Sequence, residues 1–132
     1  MKIRVGDTVV VMGIGPIGLM AVAGAAHLGA ARILAVGSRP LCVKTAYEFG
    51  ATEVLSYKES DIVKQVMART DGIGADSVII CGGNDEVFAQ AIDMVRYGIG
   101  TVSNVNYFGG TGNLPFPKFS GGRGMAGKTI RT

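Results

Sequence analysis

The chain has 132 residues and a mass of 13.6 kDa, and is 48% hydrophobic, 17% charged and 7% aromatic, so it has room for one domain with its own core and none for a two-domain enzyme. Its 21 glycines follow no Gly-X-Y period, which excludes a collagen-like chain, and the apolar fraction is too high for a disordered one. Lys118, Arg123, Lys128 and Arg131 crowd the last fifteen positions, leaving residues 1–117 with 9 basic and 10 acidic side chains, without the basic stripe and interleaved aromatics of a nucleic-acid binder.

The first feature in chain order is a run of 24 residues, Thr8 to Ala31, without formal charge if His27 is neutral, long enough to span a bilayer. Inside it Gly13-Ile14-Gly15-Pro16-Ile17-Gly18 follows the β-branched Thr8-Val9-Val10-Val11, and a strand, a tight turn and a helix use each of these residues where it is favoured. The run also lacks flanking basic bias and an aromatic belt, so no membrane span is expected. A strand over Thr8 to Met12 and a helix from about Pro16 to Leu28 are followed by a strand at Ile33 to Val36 and a helix from Leu41 to Phe49, ending at Gly50. Glu53 to Tyr57 reads as a third strand, Asp61 to Thr70 as a helix stopped by Asp71-Gly72, and Ser77 to Cys81 as a fourth strand. A helix over Val87 to Val95 and a strand over Gly100 to Val105 complete the regular pattern, and Lys128 to Arg131 could begin a sixth strand. Unbroken apolar strands alternating with helices predict an α/β fold: a doubly wound parallel sheet of five to six strands with helices on both faces. Residues 109–127 break the pattern, with seven glycines together with Pro115 and Pro117, and are expected to form a functional loop, an interface or a flexible excursion.

The chemistry starts at Gly13-x-Gly15-x-x-Gly18, placed between an apolar strand and a helix opened by Pro16. In a dinucleotide-binding turn the first glycine makes the turn, the second admits a pyrophosphate to the backbone and the third packs helix on strand, while the helix N-terminus favours the anion. An acid about twenty residues on would bind an unmodified adenosine ribose. Here that stretch is Gly37-Ser38-Arg39-Pro40, with no carboxylate, and a hydroxyl and a guanidinium suit a 2′-phosphate instead. Ser38 and Arg39 could alternatively serve only to cap the next helix.

With these residues in view, the chain resembles the coenzyme domain of zinc-containing medium-chain alcohol dehydrogenases, and among them the NADP-dependent secondary-alcohol dehydrogenases. The resemblance rests on Asp7 to Met20, the Val36-Gly37-Ser38-Arg39-Pro40 turn, Gly50-Ala51-Thr52 leading to Tyr57-Lys58, and Ser103-Asn104-Val105-Asn106-Tyr107. It covers about Val5 to Ile130. It implies that Ile14, Gly15, Pro16 and Ile17 cradle the pyrophosphate of NADP, that Gly37, Ser38, Arg39 and Tyr57 hold the 2′-phosphate, and that Val105, Asn106 and Tyr107 lie beside the nicotinamide. Tyr57 could otherwise simply finish the third strand, and Tyr107 could pack under the glycine-rich segment. The resemblance also implies a Rossmann domain over residues 1–132 whose catalytic, zinc-holding partner domain is absent from this chain, a tetrameric parent enzyme, and cofactor binding without turnover by this chain alone.

Other residues carry less. Gly82 and Gly83, after Cys81 at the end of the fourth strand, would permit close approach of the cofactor, whereas Cys81 has no companion base and reads as a small buried residue. His27 reads as structural, and Met12, Met20, Met67 and Met94 as core. Cys42 and Cys81 are too few for a disulfide framework and lack zinc-ligand spacing, and with no signal-peptide pattern a cytoplasmic location is expected. A dinucleotide-sensing regulatory domain is the main alternative function, though such modules usually keep an acid after the second strand, and a methyltransferase is a weaker one.

Overall fold

The computed structural model describes residues 2–107 and 127–132. Their elements alternate as β1 (Thr8–Met12), α1 (Pro16–His27), β2 (Arg32–Val36), α2 (Pro40–Phe49), β3 (Glu53–Leu55), α3 (Ile62–Arg69), β4 (Ser77–Ile80), α4 (Glu86–Met94), β5 (Thr101–Asn104) and β6 (Thr129–Arg131). The strands form one sheet in the order β3-β2-β1-β4-β5-β6, with every pairing parallel. β1 is central, in register Val10↔Leu34 with β2 and Val10↔Val78 with β4.

Strand side chains alternate between two cores, which is why the strands read as unbroken apolar runs. Val10, Met12, Leu34, Val36, Val78 and Ile80 pack on Ile62 and Val66 of α3 and on Val87, Phe88, Ala91 and Ile92 of α4. Val9, Val11, Ile33, Ala35 and Ile79 face Val22 and Ala25 of α1 and Ala46 of α2 on the other side. Val9, Val10, Val11 and Met12 are all completely buried, and each such side chain contributes about 1.5–3 kcal/mol of transfer free energy. The uncharged run from Thr8 is therefore divided into a strand, a turn and a helix, and among the described residues no helix is long and apolar enough to cross a membrane.

Two details differ from the sequence expectation. Met20 is 61% exposed rather than part of the core, because two positions from both Gly18 and Val22 turns it about 200° from the buried stripe of α1. β3 stops at Leu55, so Tyr57 stands in the turn that follows instead of finishing the strand. The 109–127 excursion lies, apart from Gly127, outside the described residues. At the bottom of the sheet, Asp76 accepts a hydrogen bond from the Thr8 amide (2.8 Å) and pairs with Arg96 (2.8 Å), which ties the starts of β1 and β4 to the segment leading to β5.

Candidate cofactor site

The glycine turn lies at the carboxyl end of β1, flanked by β2 and β4 where the winding of the sheet reverses, the place where open α/β sheets bind ligands. Gly13 takes φ +92°, and a Cβ there would come within 3.0 Å of the Gly82 backbone, so the two strand ends leave the sheet in contact. Gly15 is the N-cap of α1, Pro16 follows, and no side chain caps the helix. The bond from Leu19 N–H to the Gly15 carbonyl (2.9 Å) is the first of the helix ladder. The amides of the opening turn thus present the positive end of the helix without a protein acceptor from a capping side chain.

A hypothetical Cβ separates the roles of the other two glycines. At Gly18 it would lie 1.7 Å from the Gly13 carbonyl oxygen, so Gly18 is required for α1 to sit on β1. At Gly15 it would meet nothing within 4 Å, so the space above that residue is open to an incoming group.

Beyond β2, the Gly37 amide donates to the Leu55 carbonyl (3.0 Å), and a Cβ on Gly37 would strike Ile14 at 2.3 and 2.6 Å. The small size of Gly37 makes room for Ile14, which the sequence alone did not reveal. Ser38 and Arg39 are exposed. Arg39 is the N-cap residue of α2 yet makes no side-chain cap, and among the described residues neither side chain has a hydrogen-bond or ion-pair partner. The capping alternative therefore has no support in the geometry. Arg39 instead lines a cavity of about 210 Å³ with Gly13, Ile14, Gly15 and Cys42. A guanidinium unpaired among the described residues and a helix end without a side-chain cap border one cavity, an arrangement suited to phosphate groups.

A second cavity, of about 230 Å³, is lined by Tyr57 together with Gly83, Asn84, Glu86, Val87 and Gln90. Burial raises the pKa of the half-exposed Tyr57 phenol, which keeps it a protonated hydrogen-bond donor. Gly83 was expected from sequence beside the cofactor; Asn84, Glu86 and Gln90, like Cys42 in the first cavity, were not, and their one signal was position, just past a strand end or in the first turns of a helix. Gly82 lines neither cavity and packs towards Gly13. Burial pushes the Cys81 thiol up to about 11, so it is a neutral group and a poor nucleophile.

Val105, Asn106 and Tyr107 follow β5. The Val105 amide donates to the Ile80 carbonyl (3.0 Å), and Asn104 clasps Asn106 through both main-chain groups, donating to its carbonyl (3.0 Å) and accepting from its amide (3.1 Å). The Asn106 amide is thus already engaged, whereas among the described residues the Val105 carbonyl and the Tyr107 main chain have no hydrogen-bond partner. Val105 and Tyr107 are exposed. The candidate residues therefore line the carboxyl edge of the sheet from β3 to β5, four strand spacings or roughly 19 Å, which suits an extended ligand rather than a compact one.

A sequence profile described as zinc-binding dehydrogenase matches residues 16–129. The chain belongs to the zinc-binding dehydrogenase family. It is 54% identical over 129 residues to the NADP-dependent isopropanol dehydrogenase of Thermoanaerobacter brockii, covering 98% of this chain and 36% of that protein. It is 52% identical to the enzyme of the same name from Entamoeba histolytica, with 98% and 35% covered. Among solved structures, the alcohol dehydrogenase TADH from Thermus sp. ATN1 superposes with a TM-score of 0.82 at 34% identity, covering 97% of this chain and 36% of that one. The chain thus spans about a third of the length of these relatives.

The family name implies zinc, but among the described residues no three His, Cys, Asp or Glu side chains come together as a donor set. His27 closes α1 exposed to solvent, outside any such group. The described part of this zinc-binding dehydrogenase chain fits a dinucleotide and does not fit the metal.

Proposed function

We propose that this chain is the NADP-binding domain of an alcohol dehydrogenase, holding and orienting NADP(H) for hydride exchange between a secondary alcohol and its ketone. The zinc ion and the alcohol are assigned to parts of the enzyme outside this chain, so the chain alone binds cofactor without turnover. The working enzyme is taken to be a cytoplasmic homotetramer.

The observation that carries the reading is Arg39, exposed, without a partner among the described residues and bordering the glycine-turn cavity, at the strand end where an NAD-binding domain places an acid. The names of the relatives, NADP-dependent isopropanol dehydrogenases, agree with it. At the start of α1 the N–H groups of Gly15, Ile17 and Gly18 bind the pyrophosphate, Pro16 having none to give. Arg39 and Ser38 from one side and the Tyr57 phenol from the other hold the 2′-phosphate, and the main chain of Val105 and Tyr107 orients the carboxamide. When bound, the nicotinamide supplies the hydride donor or acceptor, and the chain fixes where that ring stands.

A hydrogen bond to a charged group contributes about 1.5–3 kcal/mol, so removing the Arg39 guanidinium is expected to weaken binding of NADPH by about tenfold to a hundredfold and leave that of NADH unchanged. Fluorescence titration of the chain and of Arg39→Ala with both cofactors tests this. Equal affinity of the unsubstituted chain for NADPH and NADH overturns the reading.

A further inference from the structure

We propose that Gln65 sets the cofactor selectivity of this site as a positioning residue, by fixing the turn that carries Tyr57. The inference rests on the reading that the Tyr57 phenol meets the 2′-phosphate.

Tyr57 stands in Ser56–Ser60, a stretch with no glycine or proline to stiffen it. The stretch makes two hydrogen bonds within itself, from the Glu59 amide to the Ser56 carbonyl and from the Lys58 amide to the Ser56 hydroxyl, each at 3.2 Å. Gln65, on α3 and 6% exposed, reaches back and donates from Nε2 to the carbonyls of Ser56 (2.9 Å) and Ser60 (3.0 Å). Both ends of the turn are thereby held by one carboxamide. Among the described residues, no other side chain outside the stretch hydrogen-bonds its backbone. The orientation of the amide is forced, because the opposite flip would aim a carbonyl oxygen at two carbonyl oxygens.

The other end of the carboxamide sets a cost against what Gln65 gives to fold stability. Among the described residues its Oε1 is buried without a hydrogen-bond partner, a cost that an apolar side chain of the same size would not carry. Exchanging Gln65 for methionine loses two bonds to partly buried carbonyls and removes one unsatisfied oxygen, so the effects on folding offset. What is lost is the place of the turn. Tyr57 sits next to the clamped Ser56, so a loosened turn lets the phenol leave the position from which it lines its cavity.

The test is a double-mutant cycle of Gln65→Met and Tyr57→Phe on the full chain, titrated with NADPH and NADH, with urea unfolding alongside. Gln65→Met is expected to weaken NADPH about tenfold, the size of one charge-assisted hydrogen bond, with NADH affinity and the urea midpoint unchanged. In the Tyr57→Phe background it should add nothing. Amide exchange in Gln65→Met should quicken at Lys58 and Glu59 and stay slow within α3. Equal weakening of both cofactors, the same weakening with and without the Tyr57 hydroxyl, or loss of cooperative folding overturns the inference. If Tyr57→Phe weakens NADPH and Gln65→Met does not, the inference fails alone. If Tyr57→Phe has no effect, the underlying reading of Tyr57 fails and the inference falls with it.

Discussion

The glycines of the β1–α1 turn give a prediction that separates packing from ligand binding. Alanine at position 18 places its Cβ 1.7 Å from a backbone oxygen, where ordinary contact begins near 3.4 Å, so α1 must withdraw from β1 by well over an ångström. The neighbouring atom is a carbonyl rather than a flexible side-chain tip, which puts the cost at the upper end of overpacking, about 3 kcal/mol. Alanine at position 15 meets nothing within 4 Å and inherits φ −72°, an ordinary value. Its effect on stability is the difference between a poorer N-cap and a less flexible unfolded chain, opposing terms of about 0.5–1 kcal/mol each. Its methyl group, however, stands where the pyrophosphate must approach, and displacing one charge-assisted bond from its optimum costs about 1.5–3 kcal/mol, at least tenfold in affinity. Urea unfolding followed by circular dichroism and NADPH titration by fluorescence measure the two effects separately. The reasoning is refuted if Gly15→Ala binds NADPH as tightly as the parent chain, or if Gly18→Ala is as stable as the parent.

Two further perturbations test local parts of the account. The Cys81 thiol is raised from 9.0 to about 11 by burial, so between those pH values the unfolded chain has lost a proton that the folded chain keeps, and stability must fall as pH rises. Urea melts from pH 8 to 11 should show that fall, with a shallower slope in Cys81→Ala; an identical slope contradicts the assignment. Asp61 caps α3 by accepting from the Lys64 amide at 3.1 Å, and Asp61→Ala should cost about 1 kcal/mol in a urea melt, whereas no loss would show that water replaces the cap.

Much of the fold was legible because burial on both faces leaves a simple trace. Val9-Val10-Val11-Met12 and Val78-Ile79-Ile80 had to be interior parallel strands, and the glycine turn after β1 marked the reversal of winding. The end of β3 was hidden, since Ser56 and Tyr57 continue a strand-like composition and the turn is imposed from outside by Gln65, nine residues further on. Met20 shows the converse: α1 is apolar nearly all round, so composition could not tell its buried stripe from its exposed side. At the candidate site, spacing located the glycine turn after β1, but the reason for Gly37 lay in the Ile14 side chain, and the commitment of the Asn106 amide lay in Asn104. Such contacts join residues whose pairing no periodicity announces. The cavity beside Tyr57 is likewise assembled from the turn after β3 and the start of α4, two segments that only the sheet order brings together.

Recognition of the phosphate on the adenosine ribose is assigned to Arg39 and its neighbours. The most direct measurement is the ratio of dissociation constants for NADH and NADPH, taken by titrating the chain with each under identical buffer and salt. NADPH is expected to bind at least about tenfold more tightly, a margin that Arg39→Ala removes by weakening NADPH alone. A ratio near one in the unsubstituted chain would contradict it.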